Sequence, residues 1–157
     1  MSTNRKLLLH NIVSSFFFCG YFWVAPGTVA SLATLLISSL QFVKGFDFPY
    51  LIPSVLLVFS VSFGAVAVKN SLNETSERDP GWVVIDEVAG QSVALLIVPQ
   101  TLLFYAAAFV GFRFFDILKP FPIKNLEKLN GYVGVFADDI AAGIFAGLVI
   151  RVIMIFL

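Results

Sequence analysis

Five carboxylates lie at the borders of apolar stretches in this sequence. Their side-chain type and their position together indicate a functional site. The acids concerned are Asp86, Glu87, Asp116, Asp138 and Asp139. A carboxylate beside hydrocarbon is costly, so by default it marks a functional site with a partner. If these acids lie at one membrane depth, they repel one another and stay ionised together only when cations are present.

The ligand types indicate the kind of cation. Oxygen ligands favour a hard ion, and Mg²⁺ usually takes one or two carboxylates, several waters and the phosphate oxygens of a substrate. No His or Cys accompanies these acids in the sequence, which disfavours zinc. We therefore predict Mg²⁺ and a phosphorylated substrate. The alternative is that each acid forms an ion pair with a cation, for which the sequence offers Arg78, Arg113, Lys119 and Lys124.

Two segments have the properties of a phosphate site. Arg113, Asp116 and Lys119 follow one another at three-residue spacing and spread over one end of a helix. Arg offers a bidentate fork to phosphate and Lys a point charge, although both also reach lipid headgroups from a membrane border. Pro26-Gly27-Thr28 leaves backbone N–H groups and a hydroxyl for an anion, or else forms a plain turn with Thr28 as the helix N-cap.

The composition is typical of a membrane protein. Of 157 residues, 59% are hydrophobic and 13% are charged, and the mean hydropathy is +0.92. Soluble domains are roughly 45–50% apolar and about 25% charged. The length predicts a single domain, residues 1–157. A net charge of zero gives no argument for nucleic acid as a partner.

The apolar runs predict an all-α, polytopic membrane bundle of about five helices, within a range of four to six. The predicted helices span residues 28–43, 50–68, 82–98, 101–118 and 138–157, and residues 123–137 are predicted as a mixed loop. Residues 7–24 are apolar but contain several polar side chains. We interpret them as an interfacial or buried amphipathic helix, with a sixth span as the alternative.

Basic residues are distributed unevenly between the two ends of such a bundle. One end carries Arg5, Lys6, Lys69, Arg78, Arg113, Lys119, Lys124 and Lys128, and the other has Lys44 and the nearby Arg151. Because basic residues mark the cytoplasmic side, we predict that the first end, with the N-terminus, is cytoplasmic. The same topology brings the acids and the Pro26-Gly27-Thr28 turn to that end.

The last predicted helix has one face of unusual composition. Asp139, Gly143, Gly147 and Arg151 recur on it at four-residue spacing. Small residues let a second helix approach closely, so this face is predicted to pack inward, with Asp139 at its cytoplasmic end. Arg151 is expected to form a structural pair or to reach the membrane surface rather than to act in catalysis.

Other phosphatase mechanisms lack their residues. Cys19 lies in an apolar run without the Arg loop that a phosphocysteine intermediate needs, and a Ser-His-Asp site would depend on His10 alone. A water activated by a metal and attacking phosphorus remains.

Four blocks of the sequence, in this order, resemble the phosphatidylglycerophosphatase A family of bacterial membrane enzymes. They are Pro26-Gly27-Thr28 with Ser31-Leu32, Asp79-Pro80 with Val84-Ile85-Asp86-Glu87-Val88-x-Gly90, Phe112-Arg113-x-Phe115-Asp116-x-x-Lys119-Pro120-x-Pro122-Ile123, and Asp138-Asp139-x-x-Ala142-Gly143. Members of that family use Mg²⁺ to remove the terminal phosphate of phosphatidylglycerophosphate. The family tends to have a Gly-Gly pair and a further Gly before the double Asp, whereas this chain has Gly131-Tyr132-Val133-Gly134, so that loop is expected to differ in shape.

The resemblance implies a set of roles at a cytoplasmic, inner-membrane site. Asp86, Glu87, Asp116, Asp138 and Asp139 would form the catalytic acidic core, and Arg113 and Lys119 would hold the phosphate, with Thr28 assisting. We expect Asp86, Glu87, Asp138 and Asp139 to bind Mg²⁺ and Asp116 to bind or orient it. Water is the preferred nucleophile, and direct attack by an Asp carboxylate is the alternative.

Phospholipid substrate and membrane lipid are the expected partners. Two other functions compete with this interpretation. A small cation or proton transporter predicts acids spread across the depth of the membrane, whereas here they crowd one end. A noncatalytic lipid-binding protein predicts that the acids are dispensable.

Overall fold

A computed structural model describes residues 3–44, 48, 50–73, 80–126, 128–129 and 131–156, which form helices and turns and no strand. The helices are α1 (Thr3–Ser14), α2 (Pro26–Lys44), α3 (Leu51–Phe59), α4 (Ala65–Leu72), α5 (Ile85–Ile97), α6 (Leu102–Leu118), α7 (Ile123–Leu126) and α8 (Tyr132–Ile155). A 3₁₀ turn, Cys19–Tyr21, precedes α2. The prediction of an all-helical chain is confirmed for these residues.

Two of the helices are long and apolar enough to cross a membrane. The segment Ser60–Gly64 is a π-helical turn that joins α3 and α4 into one helix, Leu51–Leu72, of 22 residues. The other is α8, with 24 residues. The apolar part of α2, Pro26–Phe42, is shorter, and α5 has only 13 residues, so the predicted number of spans stays a prediction.

Helix α5 lies at the centre of the packing. It contacts α2, α3, α6 and α8, and most of its residues are buried. Its largest fully buried side chains, Ile85 and Leu95, belong to two separate apolar clusters, one toward each end of the helix. A helix enclosed in this way holds its first turn in a fixed position, which matters because that turn carries Asp86 and Glu87.

Glycines bring α5 and α8 into close contact. A Cβ built on Gly143 would collide with the carbonyl group of Gly90, and one on Gly147 would lie 2.6 Å from the Ile97 Cβ. At the far end, Arg151 Nε donates a 2.6 Å hydrogen bond to the Ile97 carbonyl, where a cation also suits the helix C-terminus. The predicted inward face of the last helix and the structural pairing of Arg151 are therefore confirmed.

The predicted helix over residues 7–24 is wrong in its second half. Helix α1 ends at Ser14, and Phe16, Phe17 and Phe18 follow with φ of 44°, 52° and 74°. Three successive left-handed residues cannot continue a right-handed helix. Three of the polar side chains that interrupt the apolar run, those of His10, Asn11 and Ser14, instead face α4, where Ser71 Oγ donates to Asn11 Oδ1 over 3.1 Å.

Further boundaries differ from the prediction: the helix expected from residue 82 begins at Ile85, and the helix expected over residues 50–68 continues to Leu72. Helix α2 begins at Pro26, because the Val29 N–H already donates to the Ala25 carbonyl over 3.1 Å, so Thr28 is not the N-cap. The mixed loop expected over residues 123–137 contains α7 and the first turns of α8. Asp138 and Asp139 therefore lie within α8 and do not open it.

Candidate active site

Four segments that are distant in sequence meet around one cavity of about 280 Å³. They are the start of α2, the turn before α5 with its first residues, the end of α6 and the early part of α8. The lining residues are Ala25, Pro26, Gly27, Gly81, Val83, Asp86, Glu87, Arg113, Asp116, Lys119, Val135, Asp138 and Asp139. The predicted convergence of the acids, the two cations and the Pro26-Gly27 turn is therefore confirmed.

Three of the five acids form a compact group. Asp86, Glu87 and Asp139 each present a carboxylate oxygen, and these oxygens all lie within 4.8 Å of one another. The side chains of Asp86 and Asp139 are buried, with 6% and 4% of their surface exposed. Uncompensated charges this close would repel strongly, so the arrangement has the chemistry of a site for a small hard cation.

Unsatisfied oxygens support a cation at this group. Within the described part of the chain, Glu87 Oε2 and Asp139 Oδ2 are buried and accept no hydrogen bond. Buried polar atoms in native proteins are nearly always satisfied by protein, water or an ion. The donor set of carboxylates without His or Cys fits Mg²⁺ rather than zinc.

The other two acids are paired with the two predicted phosphate ligands. Arg113 Nη1 lies 2.6 Å from Asp116 Oδ2, one helical turn away on α6. Lys119 Nζ donates to Asp138 Oδ2 over 2.6 Å and joins the end of α6 to α8. Asp138 was predicted as a metal ligand, but it is not a member of the three-carboxylate group. Its other oxygen, Oδ1, is buried and accepts no hydrogen bond from the described residues.

Lys119 owes its position to an unusual backbone conformation. It caps the C-terminus of α6 with φ 41° and ψ 57°, and its N–H donates to the Phe115 carbonyl over 2.8 Å. A left-handed residue after a helix turns the chain sharply. Pro120 follows directly, and the change of direction leaves the Lys119 side chain beside α8.

The start of α2 closes the cavity on the side of Glu87. A Cβ on Gly27 would collide with the Glu87 carboxylate and would lie 3.3 Å from Arg113 Nη1. A larger residue at this position would therefore force the Glu87 carboxylate to move away from the turn. Sequence reasoning assigned Pro26-Gly27-Thr28 to anion binding and missed this steric role, because nothing in the sequence shows which side chain faces the glycine.

Thr28 lies in the first turn of α2 and is not among the residues that line the cavity. Its predicted contact with phosphate stays a prediction. Val83 and Val135 do line the cavity and were not predicted. They are ordinary apolar residues whose position only the fold reveals.

Cys19 does not line the cavity. Burial raises the pKa of its thiol, so at neutral pH the protonated form dominates.

Comparison with known proteins decides the family. The sequence model of the family described as "Phosphatidylglycerophosphatase A" matches residues 12–154. The chain belongs to this family. The resemblance predicted from the four sequence blocks is confirmed, and so is the interpretation that the chain is an enzyme, a phosphatase, rather than a transporter or a noncatalytic protein.

Three relatives of the chain carry two different names. A Bacteroides thetaiotaomicron protein with the provisional name phosphatidylinositol-3-phosphatase is 35% identical over 152 residues, covering 94% of this chain and 95% of the relative. Phosphatidylglycerophosphatase A of Haemophilus influenzae is 35% identical over 135 residues, covering 80% and 77%. The Escherichia coli K12 protein of the same name is 29% identical over 125 residues, covering 78% and 70%. No solved structure matches the chain.

Proposed function

We propose that this chain is a Mg²⁺-dependent phosphomonoesterase that hydrolyses phosphatidylglycerophosphate to phosphatidylglycerol and phosphate at the cytoplasmic face of a bacterial inner membrane. The observation that supports it most is the meeting of a three-carboxylate group with Arg113 and Lys119 around one cavity. Family membership supports the phosphatase reaction, and the names of two relatives support the substrate.

The exterior of the helices supports a membrane location. Large apolar side chains remain exposed along the long helix Leu51–Leu72 and along α8, including Val55, Val58, Leu148 and Val152. Soluble monomers rarely expose contiguous apolar patches of this kind. Lipid is therefore the proposed solvent for these faces.

Each group has a distinct role in the proposed reaction. Asp86, Glu87 and Asp139 would hold Mg²⁺, and Asp138 and Asp116 line the same cavity. When bound, Mg²⁺ supplies Lewis-acid stabilisation of the phosphate oxygens and lowers the pKa of water. Arg113 and Lys119 then neutralise the phosphate charge that develops as the ester bond breaks.

The substrate competes for cations that are already paired. Asp116 holds Arg113, and Asp138 holds Lys119, each at 2.6 Å. The side chains of Arg113 and Lys119 are 15% and 24% exposed. Both cations are thereby preorganised at the cavity wall before phosphate arrives. The oxygen of a water forms the new bond to phosphorus, the bond from phosphorus to the glycerol oxygen breaks, and that oxygen leaves with a proton as an alcohol.

The experiment that tests the function measures phosphate release by the purified chain in mixed micelles. We expect turnover of phosphatidylglycerophosphate with Mg²⁺, no turnover with EDTA, and recovery when Mg²⁺ is restored. Absence of phosphate release under all three conditions would overturn the proposal. Full activity in Asp86→Asn would be compatible with the proposed reaction but would contradict the proposed metal site.

A second substrate has one observation in its favour, the name of the Bacteroides thetaiotaomicron relative. Phosphatidylinositol 3-phosphate is also a phosphomonoester on a lipid headgroup, but its inositol ring is bulkier than glycerol. We expect kcat/KM to be higher for phosphatidylglycerophosphate in the same micelles. The reverse order would reassign the substrate while leaving the proposed metal and phosphate ligands in place.

A further inference from the structure

The segment between α1 and α2 exposes an unusual concentration of aromatic side chains. We call residues 16–24 the aromatic turn. Its exposed members are Phe17, Phe18, Tyr21, Phe22, Trp23 and Val24. Trp23 is the extreme case, with 97% of its surface exposed. Such exposure of Trp is unfavourable in water and calls for a covering partner.

The aromatic turn is fastened to the rest of the protein. The Val84 N–H donates to the Ser14 carbonyl over 2.9 Å, and the rings of Tyr21 and Trp82 stack with centroids 5.9 Å apart. A Cβ on Gly20 would collide with the Trp82 carbonyl group. The exposed rings are therefore held in a fixed position against the segment that leads into α5.

The left-handed backbone of the aromatic turn also indicates a functional segment. Phe16, Phe17 and Phe18 all have positive φ, a region that bulky residues adopt only when their surroundings enforce it. Phe16 is buried, whereas the next two rings are turned outward, 61% and 59% exposed. Unfavourable backbone conformations of this kind concentrate at functional segments.

The aromatic turn is continuous with the wall of the active site. Trp23 and Val24 lead directly into Ala25, Pro26 and Gly27, which line the cavity. Directly after α6, Lys119 lines the same cavity, and Phe121, 83% exposed, follows two residues later. Exposed aromatic residues thus adjoin the cavity lining on two separate segments.

Charge identifies the partner that fits these rings. Trp and Tyr concentrate at the headgroup level of membranes, where one side is apolar and the other wet. The exposed Lys124 and Lys128 follow Phe121 in the chain, and cations of this kind attract anionic lipid phosphates. An aromatic surface next to lysines and a phosphate-binding cavity is complementary to an anionic phospholipid leaflet.

We infer that the aromatic turn and Phe121 insert into the headgroup and carbonyl layer of the leaflet and hold the mouth of the cavity at the depth of the substrate's phosphate. This inference depends on the proposed membrane phosphatase function. It adds a lipid-binding surface and an explanation of how a shallow phosphate reaches Arg113 and Lys119. The hydrophobic part of the substrate then stays among the lipids while its headgroup enters the cavity.

The depth of Trp23 can be measured directly because the chain has two Trp residues, Trp23 and Trp82. In Trp82→Phe, reconstituted into vesicles of phosphatidylglycerol and phosphatidylcholine, Trp23 is the remaining indole. We expect lipids brominated near the carbonyl end of the acyl chain to quench it at least about twofold more than lipids brominated near the chain end. Aqueous acrylamide is expected to quench weakly.

A matched control places the indole in the middle of a long helix. In Trp23→Phe/Trp82→Phe/Val58→Trp the only indole lies on the exposed face of α3, where Val58 is 63% exposed. The order of quenching by the two brominated lipids should reverse. If Trp82→Phe does not fold, the difference between the wild-type chain and Trp23→Phe yields the same comparison. Strong acrylamide quenching of Trp23 without lipid quenching would overturn the inference.

Kinetics separate this surface from the catalytic groups. For Trp23→Ala we expect KM to rise about three- to tenfold for long-chain substrate in vesicles and to stay unchanged for a monomeric short-chain substrate. Trp23→Phe should restore most of the difference. An equal change for both substrates would contradict the inference, whereas loss of all phosphatase activity in the wild-type chain would instead contradict the proposed function.

Discussion

Asp139 is the residue at which the proposed chemistry can be tested most sharply. We predict that Asp139→Asn lowers kcat/KM about 100-fold or more, because the Mg²⁺ site loses one charged ligand, and losses of several kcal/mol are typical of such sites. Phosphate-release kinetics check this. Without Mg²⁺ the variant should unfold at the same or a higher temperature than wild type, because one of three mutually repelling carboxylates within 4.8 Å is gone.

Titration with Mg²⁺ is the second readout for Asp139. The wild-type chain should gain thermal stability as the ion is added, since a ligand that binds only the folded state stabilises it. Asp139→Asn should gain much less over the same range. If Asp139→Asn gained as much thermal stability with Mg²⁺ as the wild-type chain, Asp139 would not be a Mg²⁺ ligand, even if the variant were inactive.

Arg113 tests the geometry of phosphate binding separately from its charge. Arg113→Lys keeps the positive charge but loses the planar fork, so we predict a fall in kcat/KM of about tenfold or more. The matched control is Lys128→Arg, an exchange in the opposite sense at an exposed lysine, which should leave the kinetics unchanged. Equal kinetics for Arg113→Lys and the wild-type chain would show that charge alone suffices at this position.

At the scale of the elements, the first turn of α2 must approach Glu87 closely. In Gly27→Ala the new methyl group collides with the Glu87 carboxylate. We predict a loss of about 100-fold in kcat/KM, because displacement of the Glu87 carboxylate by about 1 Å can cost that much. Gly81→Ala is the matched control, since Gly81 also lines the cavity but nothing lies within 4 Å of its added Cβ. Similar losses in both variants would contradict the steric explanation.

The contact between α5 and α8 predicts an order of stability. In Gly143→Ala the Cβ overlaps the Gly90 carbonyl group, whereas in Gly111→Ala the nearest atom is the Ala146 Cβ at 3.3 Å. Overpacking costs roughly 1–3 kcal/mol. We therefore predict that Gly143→Ala lowers the unfolding temperature by several degrees and Gly111→Ala by less, as measured by thermal unfolding in detergent. The opposite order would place the close approach elsewhere.

Sequence reasoning predicted the elements that depend on local composition. Ala25-Pro26-Gly27, Asp86-Glu87 and Pro120 punctuate the apolar runs clearly, and the helices they border are present. The left-handed backbone at Phe16–Phe18 was missed because an apolar run looks like helix, and only tertiary contacts enforce positive φ.

The different roles of the individual acids could be predicted only in part from the sequence. Adjacent positions on a helix point about 100° apart, so Asp138 and Asp139 must differ in their surroundings. The small-residue face of the last helix predicted that Asp139 packs inward, but nothing in the sequence shows that Asp138 meets Lys119 or that Asp139 joins Asp86 and Glu87. That choice is made by the packing of α8 against α5 and by the sharp turn at Lys119.

At the scale of the whole molecule, the site and its cations lie at one end of the helices. Arg113 and Lys119 are at the end of α6, and Lys124 follows in α7. Arg151, at the far end of α8, is held by the Ile97 carbonyl at the far end of α5. A molecule with apolar sides and charge concentrated at one end has a defined orientation in a membrane, and the excess of basic residues predicts that this end is cytoplasmic.

Orientation is tested by labelling single cysteines in a Cys19→Ser background, since Cys19 is the chain's one cysteine. Lys124 is exposed near the site, whereas Phe48, 70% exposed, precedes α3 at the other end. We predict that a membrane-impermeant maleimide labels Phe48→Cys in intact cells and labels Lys124→Cys only after permeabilisation. Phosphatase activity in both variants serves as the control for folding. The reverse pattern would put the cavity on the outer face and overturn the predicted orientation.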